Sequence, residues 1–149
     1  MSARLPIAVA VDGSPASDAP LAEALRLAQA DNRPLLGVFV LDTGWADYIG
    51  NDWQSAAGAR QGFLDYIRGQ LESQAEAART QFAAVTRDLP SAHFRVIPGE
   101  PLEELCALIA RGEAEILVVG PQAFQICGRP SVKTLARDLA RRASSLHIV

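Results

Sequence analysis

The sequence predicts an α/β domain built on a doubly wound, Rossmann-like parallel sheet with helices on both faces. Two observations carry this. Short runs rich in Val, Ile and Leu alternate with amphipathic stretches of helical period, strand then helix four times over, with a closing strand. These runs are apolar on both faces, as strands are when helices cover both sides of a parallel sheet and right-handed crossovers join its strands. The 149 residues suit one core, and 1–149 is read as a single domain.

Residues 5–11 form the first expected strand, in which Ile7, Val9 and Val11 alternate with Pro6, Ala8 and Ala10. Asp12-Gly13-Ser14-Pro15 is a turn cluster, and Ser17 stands as the N-cap of a helix whose first turn holds Pro20, where a missing N–H costs little. That helix runs to about residue 30 on a stripe of Leu21, Leu25 and Ala28. Asp31-Asn32-Arg33-Pro34 breaks it, and residues 35–41 make the second strand. Residues 42–60 carry Gly44, Gly50 and Gly58 without a sustained period, and read as a long loop whose Trp45, Tyr48 and Trp53 pack onto the domain or, alternatively, form a lid over a ligand.

A long helix follows, with Phe63, Ile67, Leu71, Ala75, Ala78, Phe82 and Val85 along one face, ending near Leu89-Pro90. The third strand is 93–97, closed by Pro98-Gly99-Glu100-Pro101. The third helix turns Leu102, Leu105, Cys106 and Ile109 inward and stops near Gly112. The fourth strand, 115–119, opens into Gly120-Pro121-Gln122. A fourth helix places Val132, Leu135, Leu139 and Ala143 inward, and 146–149 is the closing strand.

Composition excludes several classes. Apolar residues make up 49% and charged residues 21%, values of an ordinary globular chain rather than a disordered one. Fourteen Lys and Arg against seventeen Asp and Glu give a net charge of −3, which argues against nucleic acid or an anionic membrane as the main partner. The longest apolar runs fall well short of the roughly 20 residues of a membrane helix, and no signal segment precedes the first strand. Two cysteines, Cys106 and Cys127, are too few for a disulfide framework. The expected location is the cytoplasm.

Ile7-Ala8-Val9-Ala10-Val11-Asp12-Gly13-Ser14, then Gly99-Glu100-Pro101 followed by Glu104-Leu105, then Ala114-Glu115-Ile116-Leu117-Val118-Val119-Gly120 and a closing apolar strand resemble, in order and spacing, the universal stress protein family. The resemblance covers nearly the whole chain. It implies the strand order 3-2-1-4-5, a homodimer paired through the C-terminal strand, and in some members ATP held between the first and fourth strands; it implies no chemical reaction. Carried over residue by residue, it sets Ala10, Val11 and Asp12 beside adenine and ribose, Val40 beside the adenine, and Gly120, Gln122, Lys133 and Thr134 at the phosphate end. An Asp12 carboxylate at a strand end either accepts a hydrogen bond from a ligand or helps hold Mg²⁺ beside phosphates, or else shapes the turn with Gly13.

The phosphate loop departs from the family pattern of Gly, two residues, Gly, nine residues, then Gly and Ser or Thr. In that pattern the glycines let backbone N–H groups approach phosphate. Gly120 matches the first glycine, Ala123 replaces the second, and Lys133-Thr134 fall on the final pair if the loop keeps its length. Lys133 then either gives a charge to phosphate or fills its space; a shortened loop would instead use Gly128 and Ser131. A Walker A motif is ruled out, because Val132 and Cys127 stand where its glycines belong.

Arg129, Lys133, Arg137, Arg141 and Arg142, opposed by Asp138, form a solvated helix face, or an anion attractor if the cleft is near. Cys127 has no neighbouring His, Cys106 belongs to the core, and His93 and His147 lack zinc-like spacing. These features predict a cytoplasmic stress-response or regulatory binding protein, not an enzyme, with a degenerate adenine-nucleotide cleft. ATP or AMP with Mg²⁺ is the candidate cofactor, and affinity for ATP is expected to be weak or absent. The competing reading, an ATP-binding or ATP-hydrolysing member of the adenine-nucleotide α/β group, requires a complete phosphate loop and a positioned base.

Overall fold

The computed structural model describes residues 5–43, 57–120 and 146–148, with side chains in the second block from residue 61 onward. The expected fourth helix and the aromatics Trp45, Tyr48 and Trp53 lie outside them. Five strands, β1 (Ile7–Ala10), β2 (Leu35–Asp42), β3 (Ala92–Gly99), β4 (Ile116–Val119) and β5 (Leu146–Ile148), form one sheet in the order β3-β2-β1-β4-β5. Every pairing is parallel, as expected. The helices are α1 (Asp18–Asp31), α2 (Ala57–Val85) and α3 (Pro101–Ala110). The chain steps from β1 to β2 to β3 in one direction and then crosses back to β4. Right-handed connections therefore put α1 and α2 on one face and α3 on the other.

The core follows the β-branched and leucine-rich runs. Val9, Val11, Val38 and Leu117 are fully buried, Phe39 and Leu21 almost so, with Leu105 and Leu108 joining from α3. Leu108, outside the expected stripe of that helix, lies deeper than Leu102, Cys106 and Ile109, which pack at the core margin. α1 ends at Asn32, whose left-handed backbone (φ 52°) returns its N–H to the carbonyls of Ala28 and Gln29. Next to it, Arg33 ties the lower ends of β1 and β4 together: Nε meets Asp31 at 2.7 Å, and Nη1 reaches Glu115 and the Leu5 carbonyl.

Two of the boundaries that differ from expectation are informative. β3 continues through Pro98 and Gly99, because it is an edge strand whose outer side needs no ladder donor, so proline is tolerated opposite Leu41. α2 begins at Ala57, inside the stretch read as loop. Its expected stripe is buried at Leu71, Ala78 and Phe82, but Phe63 (37%) and Val85 (42%) at the two ends are exposed. The helix of 29 residues is about 43 Å long, and the 8-residue strand beneath it about 26 Å, so the helix outruns the surface that would cover it. Near its C-terminal end, the Phe82 ring occupies the space where a Cβ at Gly37 of β2 would stand.

Candidate functional site

Strand order reverses between β1 and β4, and in a doubly wound sheet the carboxyl ends at that point are where ligands bind. Ala10 lies opposite Val38, and Val9 opposite Val118. Continued past the strand ends, that register brings Asp12 level with Val40 on one side and Val11 level with Gly120 on the other. The Val11 N–H donates to the Val38 carbonyl at 2.9 Å, one residue beyond β1. Ala10, Val11, Asp12, Val40 and Gly120, which the resemblance groups around a nucleotide, thus lie together at these strand ends, all of them buried. Gln122, Lys133 and Thr134 lie outside the described residues.

The turn after β1 is built around the Asp12 carboxylate. Its Oδ1 accepts from the Ser14 N–H at 2.9 Å, the Ser14 hydroxyl at 2.6 Å and the Ser17 hydroxyl at 2.7 Å. The Ser17 Oγ in turn accepts from the Asp12 N–H at 2.9 Å. Asp12, 2% exposed, therefore does shape the turn. Ser17 precedes α1 as expected but makes no side-chain cap. Pro15–Ser17 is already a 3₁₀ turn, Ser17 has helical backbone angles, and its hydroxyl is committed to Asp12. Gly13 has φ +82°, and a Cβ there would stand 2.9 Å from the Gln74 carbonyl oxygen and 3.0 Å from the Ala77 Cβ. Backbone conformation and space both demand glycine.

Two further contacts hold the turn in place. Gln81 of α2 donates from Nε2 to the Ser14 carbonyl at 2.9 Å and to Asp18 Oδ1 at 2.7 Å, while its Oε1 is buried with no hydrogen-bond partner among the described residues. Gly120 leans on the start of α1: a Cβ there would be 2.9 Å from Pro20 Cγ and 3.4 Å from the Ala16 carbonyl oxygen. The family resemblance singled out Gly120 as a phosphate-loop glycine, and sequence reasoning missed this packing. It missed Gln81 altogether, since nothing local marks a contact to a residue 67 positions away.

Two cavities flank this region without containing Ala10, Val11, Val40 or Gly120. One, of about 520 Å³, lies behind the turn beside Ser14, Pro15 and Gln81, and is rimmed by Asp18 and Glu76, a sign of charge that disfavours phosphate. The other, about 200 Å³, sits between Leu41 and Thr43 of the β2 end and Leu64, Ile67 and Arg68 of α2. Among the described residues no three His, Cys, Asp or Glu side chains come together to hold a metal, and no helix is long and apolar enough to cross a membrane. On β5, the His147 Nε2 stands 3.4 Å from Glu23 Oε2. Glu23 is also bound by Arg26, whose guanidinium hydrogen bond holds its carboxyl below the usual carboxylate range, against a smaller opposing effect of desolvation.

The model of the Universal stress protein family matches residues 4–144. No curated protein matches the chain significantly. Among solved structures, the universal stress protein UspA from Lactobacillus plantarum is 20% identical, with 99% of each chain covered and a TM-score of 0.66. A universal stress protein from Archaeoglobus fulgidus in complex with dAMP is 16% identical over 99% of this chain and 98% of that one, TM-score 0.65. A universal stress protein in complex with cAMP is 21% identical over 99% and 98%, TM-score 0.57. At such identities the structural likeness speaks for the fold, while the family model spans almost every element described above, the Asp12 turn and Gly120 included: the chain belongs to the universal stress protein family.

Proposed function

We propose that this chain is a cytoplasmic, non-enzymatic stress-response binding protein that takes an adenine nucleotide at the carboxyl ends of β1, β2 and β4, and that it grips base and ribose more firmly than phosphate. The observation that carries the reading is the Asp12 carboxylate, fixed by its own turn at the reversal point of the sheet. A carboxylate has about four acceptor positions, and anchoring Oδ1 sets the direction in which the group meets a ribose hydroxyl or a base amine. Ala10, Val11 and Val40 are at most 2% exposed, so a base there meets the backbone edges of the strand ends. Complexes of structurally similar proteins with dAMP and cAMP support a monophosphate as the occupant.

The weak phosphate end follows from Ala123 and Lys133 in the places of two glycines. Homodimer formation through β5 follows from its place at the sheet edge, where Ile148 is 45% exposed and pairing removes an apolar edge. A chain truncated before Leu146 should then sediment as a monomer, and a persisting dimer would point to another interface. The test of the cleft is calorimetric titration with AMP, cAMP and ATP with Mg²⁺, together with mass spectrometry of whatever leaves the protein on denaturation. AMP or cAMP binding with weaker ATP binding is expected. A dissociation constant for ATP of roughly micromolar or tighter, about −8 kcal/mol, would overturn the weak phosphate grip. Absence of any adenine nucleotide binding would overturn the site, and ATP turnover above background would favour an enzyme.

A further inference from the structure

We propose that Gln81 is a positioning residue for this cleft, the group through which α2 sets the geometry of the turn that carries Asp12. Its effect on affinity rests on the nucleotide reading above; its effect on the turn does not.

Both hydrogens of the Gln81 amide are engaged, one by the Ser14 carbonyl and one by Asp18 Oδ1. Ser14 supplies two of the hydrogen bonds that Asp12 Oδ1 accepts, so the residue that Gln81 grips is one that orients the carboxylate. Rotating the amide by half a turn would face Oε1 toward a carbonyl and a carboxylate, three acceptors together, so its orientation is chemically determined. That orientation leaves Oε1 buried and, among the described residues, unpaired, a cost set against the two hydrogen bonds that the donors make to the turn.

The neighbours of Gln81 make it a rigid reference point. Ala78 and Phe82 on the same helix are 0% and 4% exposed, seated against the sheet. One and two turns earlier, Gly13 rests on Ala77 and on the Gln74 carbonyl. The Asp12 turn is thus pinned to α2 at two points, by steric contact at Gly13 and by hydrogen bonds at Gln81.

The test compares Gln81→Leu, which keeps the shape and removes every donor, with Gln81→Lys, which keeps donors for the Ser14 carbonyl and Asp18. Amide hydrogen exchange at Ser14 and Ser17 is measured without ligand, and AMP affinity by calorimetry. Exchange at both amides should rise roughly tenfold in Gln81→Leu and AMP binding weaken by a similar factor, the scale of one or two lost hydrogen bonds. Amides of β2 should keep their wild-type rates, and Gln81→Lys should restore both readouts. Wild-type exchange at Ser14 and Ser17 in Gln81→Leu would overturn the proposal, as would acceleration spread equally over β2, which indicates general destabilisation. If the wild-type chain binds no AMP, the nucleotide reading fails, and the exchange rates alone decide whether the clamp exists.

Discussion

Replacing Gly120 by alanine separates the packing role of this glycine from a role in phosphate binding. The new Cβ would lie 2.9 Å from Pro20 Cγ and 3.4 Å from the Ala16 carbonyl oxygen. Carbon atoms rest at about 3.5–4.0 Å, so the end of β4 and the first turn of α1 must separate by more than half an ångström. Neither side yields easily. Pro20 is buried and its ring can yield only by a change of pucker, Leu21 beside it is 1% exposed, and Val118 and Val119 are fully buried. Gly120 has no left-handed backbone, so conformational strain adds nothing and the cost is that of overpacking, about 1–3 kcal/mol. Urea unfolding with an unchanged m-value should therefore show Gly120→Ala destabilised by about 2 kcal/mol. In a Pro20→Ala background, which removes the opposing ring carbon, the same substitution should cost less than about 0.5 kcal/mol. A Gly120→Ala chain within about 0.5 kcal/mol of wild type would refute the packing argument. If that chain had also lost nucleotide binding, the glycine would be there for the ligand.

Ser17→Ala should cost about 1–2 kcal/mol in urea unfolding, since it leaves the Asp12 N–H without its partner in a site 2% exposed. Lys133→Ala should tighten ATP binding in a calorimetric titration if the side chain fills phosphate space; weaker binding would show instead that Lys133 has taken over the missing cradle. Glu23 has its folded carboxyl lowered from an ordinary value of 4.5, chiefly by Arg26, so its stabilising contribution is present above about pH 4.5 and lost as pH falls through the lower folded value. Glu23→Gln should accordingly flatten the acid limb of a stability–pH curve in that window, and an unchanged limb would show that the exposed pair contributes nothing.

The sheet was legible because its strands are short runs of Val, Ile and Leu bounded by Gly, Pro and Asx turns, as around Ile7–Ala10 and Ile116–Val119. Strand order was not in that periodicity; it came with the motif resemblance. Helical period identified the face of α2 at Leu71, Ala78 and Phe82, but period says nothing about how far the partner surface extends, and Phe63 and Val85 fall beyond it. Pro98 reads as a stop signal by local rules, and only its place on an edge strand makes it tolerable. Ser17 illustrates the same limit at the site: its position matches a capping rule, while its hydroxyl is claimed by a carboxylate five residues back. Gln81 leaves no local trace because its partner is a backbone carbonyl on a distant turn, and backbone atoms carry no sequence signature.

Shaping the turn and meeting a ligand, which the sequence offers as alternatives for Asp12, are compatible physically and the first favours the second. A mobile carboxylate loses rotamer freedom whenever it orders on a ligand; one already held at Oδ1 has lost it during folding, so the same contact contributes more to affinity. Among the described residues, the groups that hold it, Ser14, Ser17, Gly13 and Gln81, belong to the β1–α1 turn and to α2. On the proposed reading, substitutions at Ala123 and Lys133 act at the phosphate end, whereas the β1–α1 turn and α2 anchor Oδ1. A degenerate glycine pattern then argues against tight ATP binding while that anchor still serves a nucleotide recognised through its base and ribose.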